Sequence, residues 1–320
     1  MNPFTKDPAA SVTSLGECAL LGRMREWLGA AAPASPAGMG DDCALTEPRA
    51  NLFTCDSLLY GRHFDDSCPA ELAGEKLLKR NLSDIAAMGG LPENALLALF
   101  LPPQTSTEWL EGFVRGLARA ALRYSTSIVG GDIAESSSPF LAATLSLTGR
   151  ARRPLLRGGA KAGDVLYVSG PLGCSIKGHH LTFEPRIEQG MYLSYAPGVS
   201  ACMDLSDGLA KDLPLLCGSS LAGILDMDAL PPSAETICEC GEDRVAMLRH
   251  IMCDGEDYEL LFAVDAAMAE ELESMWTDRF GAPPFRIGSL APRDGDGPQL
   301  IDAADGKALE YAGYEHLRQA

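Results

Sequence analysis

Alternating helix and strand signals in both halves of the chain predict an α/β protein of two domains. Three observations carry that expectation. At 320 residues the chain exceeds one comfortable hydrophobic core. Hydrophobic residues make up 46% of it, yet no apolar run approaches the ~18–20 residues of a membrane span. A basic, proline-containing stretch at 150–159 separates two similar patterns and reads as a linker, giving expected domains 1–150 and 151–320.

In the first half, residues 17–28 have helical spacing and stop at Gly29. The Pro/Ala/Gly stretch 30–40 has no apolar period and reads as a loop. Residues 51–59 read as a strand, and 71–88 as a helix closed by Gly89-Gly90. A short apolar strand at 95–101 ends at Pro102-Pro103, and Thr105 with Glu108 has the spacing of a capping box. The helix after it carries Leu110, Phe113, Val114, Leu117 and Ala121 on one face. Strands at 127–129 and 140–148 are expected to flank a Gly130-Gly131-Asp132 turn.

In the second half, strand 165–169 precedes a Gly-rich turn and helices near Cys174 and Arg186. Strand 201–203 leads into helix 208–217, and strand 258–264 into helix 266–276.

Composition narrows the function. With 26 basic against 44 acidic residues, the net charge of −18 argues against nucleic acids and anionic membranes as partners. Nucleotide binding stays open, because a bound metal inverts the local field. Ten cysteines are scattered without a C-x-x-C pair, mostly in apolar strings, and no early segment has the build of a secretory signal. A reducing cytosol is the expected setting.

The chemistry is concentrated in six acidic clusters: Gly40-Asp41-Asp42, Thr54-Cys55-Asp56, Asn81-Leu82-Ser83-Asp84, Gly130-Gly131-Asp132, Asp204-Leu205-Ser206-Asp207-Gly208 and Asp254-Gly255-Glu256-Asp257. Carboxylates at strand and helix ends suggest a convergent oxygen-ligand site suited to Mg²⁺ and phosphate oxygens. Asp84 is the oddest of them. It lies near a helix C-terminus, where the macrodipole opposes an anion by up to ~1 kcal/mol. It is either a solvated helix-end carboxylate or the ligand of a cation that removes the mismatch. Asp41 and Asp42 fit a tight turn as well as a close backbone approach to a ligand. Asp207 reads as an N-cap, but capping leaves Asp204 unexplained. No G-x-x-x-x-G-K-[ST] string is present, and five histidines without paired spacing disfavour zinc. The Gly170-Pro171-Leu172-Gly173 turn fits an anion site or merely a close turn.

Taken together, Gly40-Asp41-Asp42-Cys43-Ala44, Asn81-Leu82-Ser83-Asp84-Ile85-Ala86-Ala87-Met88-Gly89, Gly130-Gly131-Asp132, Asp204-Leu205-Ser206-Asp207-Gly208-Leu209 and Gly255-Glu256-Asp257-Tyr258-Glu259-Leu260-Leu261-Phe262 resemble the thiamine-monophosphate kinase family. The resemblance runs in order over nearly the whole chain. Single motifs are shared with a wider ATP-using superfamily that includes aminoimidazole ribonucleotide synthetase, selenophosphate synthetase and a hydrogenase-maturation protein.

The resemblance implies the two-domain aminoimidazole ribonucleotide synthetase-like fold, with N-terminal sheets pairing across a homodimer. It also implies γ-phosphoryl transfer from ATP to thiamine monophosphate. By motif match, Asp42, Thr54, Cys55, Asp56, Asp84, Asp132, Asp204 and Asp207 would hold Mg²⁺. Gly131, Asp132, Arg157 and Ser206 would meet ATP, and His63, Glu256 and Tyr314 the thiamine phosphate. Asp84, Asp132, Asp207 and Arg157 would be catalytic.

Several positions depart from the family pattern. Cys55 replaces a small hydroxyl residue, and Asp254 replaces the first glycine of Gly-Gly-Glu-Asp. Cys174 stands where an acid is usual, and the segment 176–186 is short. Selenophosphate synthesis is disfavoured because Cys18 sits in an apolar helix pattern. A silent nucleotide-binding protein is disfavoured by the retained carboxylates.

Overall fold

The computed structural model describes residues 2–15, 17–32, 52–137 and 139–314. Two compact units result: Met1–Ile85 with Leu91–Arg150, and Ala86–Gly90 with Ala151–Ala320.

The first unit contains helix α1 (Glu17–Leu28), strand β1 (Leu52–Leu59), most of helix α2 (Ala70–Ala87), β2 (Leu91–Leu101), α3 (Thr107–Arg123), β3 (Ser127–Glu135) and β4 (Ala142–Arg150). Its sheet runs β1-β4-β2-β3, antiparallel except for the parallel β2–β3 pair. Residues of α3 alternate with a 3.6-residue period because one face must leave water. Trp109, Leu110, Phe113, Val114, Leu117 and Ala121 are all buried. Trp109 stacks between Phe64 and Phe113, with ring centroids 5.7 and 5.4 Å away. The opposite face of the sheet is different. Phe53, Leu96 and Phe100 remain exposed there, Phe53 at 77%.

Two local expectations are corrected. The α3 cap is Ser106, whose hydroxyl accepts from Trp109 N at 3.3 Å, while Thr105 donates to Pro102 O at 2.7 Å. Thr105 is spent on the preceding turn, so the helix begins one residue later. Gly130-Gly131-Asp132 is not a turn. It lies inside β3, where pairing with Leu96, Leu97 and Ala98 of β2 satisfies the backbone after a register shift at Ala95/Leu96.

The second unit contains β5 (Val165–Val168), α4 (His179–Thr182), α5 (Ile187–Tyr195), β6 (Val199–Asp204), α6 (Leu209–Cys217), β7 (Leu221–Leu225), α7 (Ala234–Cys240), α8 (Arg244–Cys253), β8 (Leu260–Val264), α9 (Ala269–Phe280), β9 (Phe285–Pro292) and β10 (Leu300–Asp302). Its six strands are ordered β10-β7-β9-β5-β8-β6, antiparallel except for β10–β7.

The central strands β5 and β8 are buried at every position, which explains their unbroken apolar sequences. Leu166, Val168, Leu261 and Ala263 pack with Leu209, Leu213 and Leu216 of α6. Tyr167 and Phe262 stack at 5.4 Å, and Phe262 stacks on Trp276 of α9 at 5.5 Å. Each such aromatic contributes about 1.5–3 kcal/mol by leaving water. Both units therefore mix helices and strands, as expected, and their sheets are largely antiparallel. Among the described residues no helix is long and apolar enough to cross a membrane.

Candidate active site

In the first unit the framework is the junction of β1 with α2. The unbroken β1–β4 register assigns alternate β1 side chains to opposite sheet faces. Thr54 and Asp56 share one face, and α2 meets them with residues one turn apart. Thr54 donates its hydroxyl to Asp84 Oδ2, and Arg80 Nη2 donates to Asp56 Oδ1 at 3.3 Å. Arg80 Nη1 also donates to Ser57 O at 2.8 Å.

Cys55 points the other way, toward Ser146, whose hydroxyl donates to its sulfur at 3.3 Å. Its side chain is therefore separated from Thr54, Asp56 and Asp84 by the sheet itself, and only its carbonyl is available on the strand. Asp132 is exposed on the edge strand β3 opposite Ala98. Beside it, a Cβ on Gly131 would come within 1.7 Å of Leu97 O, so any side chain there would collide with β2. His63 Nδ1 accepts from Leu59 N at 3.0 Å, which leaves the ring proton on Nε2. Asp42 lies outside the described residues.

In the second unit two loops are laced together by their backbones. Glu256 N donates to Ser206 O at 2.8 Å, Tyr258 N to Leu205 O at 2.8 Å, and Leu205 N to Glu259 O at 2.8 Å. Tyr314 N donates to Asp207 O at 2.8 Å. Ser206, Asp207, Glu256 and Tyr314 are thus brought together, and Asp204 ends β6 at the base of the same loop. Gly208 makes the approach possible. Its φ is +99°, and a Cβ there would meet Asp254 O at 2.8 Å and Cys253 O at 3.0 Å.

Asp207 does not cap α6, contrary to the sequence reading. Gly208 is the N-cap residue, with no side-chain cap hydrogen bond, and the carboxylate that binds the preceding loop comes from inside the helix. Asp212 Oδ2 accepts from both Ser206 N and Asp207 N at 3.0 Å. Asp207 instead pairs with Lys211 Nζ at 2.7 Å, and that ammonium also donates to Tyr314 O at 2.8 Å. Burial first, and then the nearby Asp204 and Asp207 charges, push the Asp212 carboxyl up to about 7. Arg157 is exposed in a short 3₁₀ turn.

The Glu256 loop is held from behind by the short 176–186 segment. His180 Nδ1 lies 3.3 Å from Glu256 Oε2, and Tyr258 donates its hydroxyl to Glu256 Oε1 at 3.2 Å. Phe183 stacks on Tyr258 at 4.0 Å. Glu259, 1% exposed, is held bidentately by Arg186 and accepts from Ser169 Oγ at 2.5 Å. Asp257 Oδ1 accepts from Gly173 N at 3.0 Å and from Ser175 Oγ, while its buried Oδ2 has no hydrogen-bond partner among the described residues. Burial pushes this carboxyl up to about 8. Glu256 and Tyr258 hold φ of +65° and +52°, a costly conformation for non-glycine residues.

Sequence reasoning missed Arg80, Lys211, Asp212, His180 and Arg186. Helical spacing offered a signal for two of them, since Arg80 and Asp84, and Asp207 and Lys211, are four residues apart.

Comparison with known proteins agrees with this architecture. Residues 40–151 match the family described as AIR synthase related protein, N-terminal domain. The thiamine-monophosphate kinase of Rhodopirellula baltica is 36% identical over 82% of this chain and 86% of its own. That of Escherichia coli K12 is 34% identical over 88% and 91%. The crystal structure of thiamine-monophosphate kinase from Stenotrophomonas maltophilia K279a is 30% identical, with a TM-score of 0.74 over 92% of this chain and 98% of that one. AaThiL, complexed with AMPPCP and TMP, is 28% identical, with a TM-score of 0.69 over 96% and 98%. HypE, a hydrogenase maturation protein solved with ATP, shares the fold at 17% identity and a TM-score of 0.67. With relatives of this name matching most of its length, and with their fold, the chain belongs to the thiamine-monophosphate kinase family and is a kinase.

Proposed function

We propose that the chain transfers the γ-phosphoryl group of ATP to thiamine monophosphate, giving thiamine diphosphate and ADP. The transfer is in line and is assisted by several Mg²⁺ ions, and it completes thiamine diphosphate synthesis in the cytosol. The observation that carries this reading is the backbone lacing of Ser206 to Glu256, with Tyr314 bonded to Asp207. It joins a loop with metal-binding chemistry to the loop whose motif marks the kinase family.

The acceptor is a phosphate monoester with a second pKa near ~6, so its oxygen is ionised at neutral pH without a strong base. The obstacle is repulsion between two anions. Mg²⁺, when bound, supplies charge neutralisation and alignment of the phosphates. The residues present suit that ion: all but Cys55 are carboxylate or hydroxyl donors, and Asp204, Asp207 and Asp212 gather carboxyl oxygens around a half-buried loop.

In the first unit Thr54, Asp56, Asp84 and Asp132 would hold Mg²⁺, with Cys55 contributing its carbonyl and Asp42 from its own motif. In the second unit Asp204 and Asp207 would do so. Gly131, Asp132 and Ser206 would bind ATP, and Arg157 would set a planar guanidinium against its phosphates. His63 would donate Nε2–H to the thiamine phosphate, Glu256 would bind the same substrate, and Tyr314 would offer its ring. The functional domains are taken as 1–150 and 151–320. A homodimer is part of the proposal, because the exposed Phe53, Leu96 and Phe100 give the first unit an apolar sheet face fit for a second copy.

The test is incubation with ATP, Mg²⁺ and thiamine monophosphate, following thiamine diphosphate and ADP. Equimolar appearance of both is expected. Nucleotide binding without either product would reduce the chain to a silent binding protein.

A further inference from the structure

Two of the departures from the family pattern, Cys174 and Asp254, are eighty residues apart in sequence but adjacent in space. Cys174 N donates to Asp254 Oδ2 at 2.9 Å. The same oxygen lies 2.8 Å from His250 Nδ1, one helical turn earlier on α8. One sulfur, one imidazole nitrogen and one carboxylate oxygen lie within 4.8 Å of one another. We propose that Cys174, His250 and Asp254 form a binding site for a borderline divalent ion of the Zn²⁺ class, separate from the Mg²⁺ ions of phosphoryl transfer.

The donor set selects the ion. Thiolate and imidazole favour Zn²⁺ and its transition-metal relatives, whereas Mg²⁺ requires oxygen. Geometry is close to what is needed. Tetrahedral coordination at ~2.0–2.3 Å puts neighbouring ligand atoms about 3.3–3.8 Å apart, so side-chain adjustments of about 1 Å close the site. His250 and Asp254, at i and i+4, present their donors from one helix face, a spacing that metal-binding helices use. Asp254 also sits as the C-cap of α8, where the helix dipole disfavours a carboxylate and favours a cation.

The competing reading is a thiol nucleophile assisted by histidine. Cys174 is 1% exposed, so no substrate can reach it, while a desolvated ion held from a half-buried edge can. Burial pushes the Cys174 thiol up, so ion binding must expel its proton to solvent as the thiolate forms. Ligation through Nδ1 requires the His250 tautomer that carries its proton on Nε2.

The ion would tie the Gly170–Cys174 turn and the end of α8 to the residue that opens the Glu256 loop. Its influence on thiamine monophosphate rests on the proposed function, but its binding does not.

The experiment titrates the full chain with Co²⁺ in excess Mg²⁺, without ATP or thiamine monophosphate. One ion per chain is expected, with a near-ultraviolet thiolate-to-cobalt charge-transfer band and competition by Zn²⁺. Cys174→Ser should abolish the band. His250→Gln, at a half-exposed position that leaves folding intact, should weaken binding at least about tenfold. Cys238→Ser, at an exposed thiol on α7, should change nothing. Absence of the band in the parent protein, its survival in Cys174→Ser, or undiminished affinity in His250→Gln overturns the proposal. Because no turnover is read, a failure here leaves the kinase reading untouched, and an inactive enzyme that still shows the band leaves this site standing.

Discussion

The two units hold their carboxylates in opposite ways. In the first, Asp56 and Asp84 are presented by a strand and a helix, remain half-buried, and have Arg80 and Thr54 as direct partners. In the second, Asp204, Asp212, Asp257 and Glu259 are all at most 3% exposed, on or beside loops laced by backbone bonds. Regular elements position charged groups that stay wet. In the second unit Asp212 and Asp257 satisfy loop N–H groups from buried positions, and burial raises the pKa of both carboxyls. Substitutions in the first unit should therefore act on turnover, and those in the second on stability as well.

The largest effect is expected from Asp84→Asn. The amide keeps the hydrogen bond with Thr54 but loses the charge, so kcat should fall by at least about 10³ while the melting temperature changes little. Turnover within tenfold of the parent would remove Asp84 from the chemistry.

Arg186→Met comes next and sharpens the contrast. It strands the buried Glu259 carboxyl and should cost about 3 kcal/mol in denaturant unfolding, the low end for breaking a buried pair because Arg186 keeps some water contact. Adding Glu259→Gln should restore most of that loss. If it restores none, the ion pair is not what holds the loop.

A pH test separates the units further. The Asp257 carboxyl is raised to about 8 in the folded chain from 3.8. Between those values the folded protein keeps a proton that the unfolded chain has released. Its contribution to stability is therefore full below about pH 4 and is lost as pH rises through about 8. Asp257→Asn cannot ionise, so its stability relative to the parent should grow between about pH 5 and about pH 9, by on the order of a few kcal/mol. A constant difference across that range contradicts the burial argument.

The smallest effect is expected at Cys55→Ser. Its side chain faces Ser146 rather than Asp84, so turnover should stay within about twofold. A tenfold change in either direction would show that the thiol itself reaches the reaction.

Much of this was legible in the chain. The helix α1 has its expected bounds, and α2 and α6 lie within one residue of theirs, because apolar period and terminal glycine act locally. The approach of Ser206 and Asp207 to Glu256 and Tyr314 followed only from the family resemblance, since no local rule links residues so distant in sequence.

Local rules failed where a distant partner claimed the same group. Gly130-Gly131-Asp132 has turn composition, but β2 offered a full ladder. Asp207 has the composition of a cap, but α6 starts at Gly208 with no side-chain cap, Asp212 accepts from Asp207 N, and the Asp207 carboxylate pairs with Lys211.

Residue order alone thus determined which groups have the chemistry to bind metal and phosphate, and where α1, α2 and α6 begin and end. Those properties depend on side-chain chemistry and on periodicity over a few turns. Tertiary structure decided which face of β1 each side chain occupies, which carboxylate binds which loop, and that Cys174 meets His250 and Asp254. Hydrogen-bond partners and burial are settled only when segments far apart in the chain compete for the same donors and the same dry space.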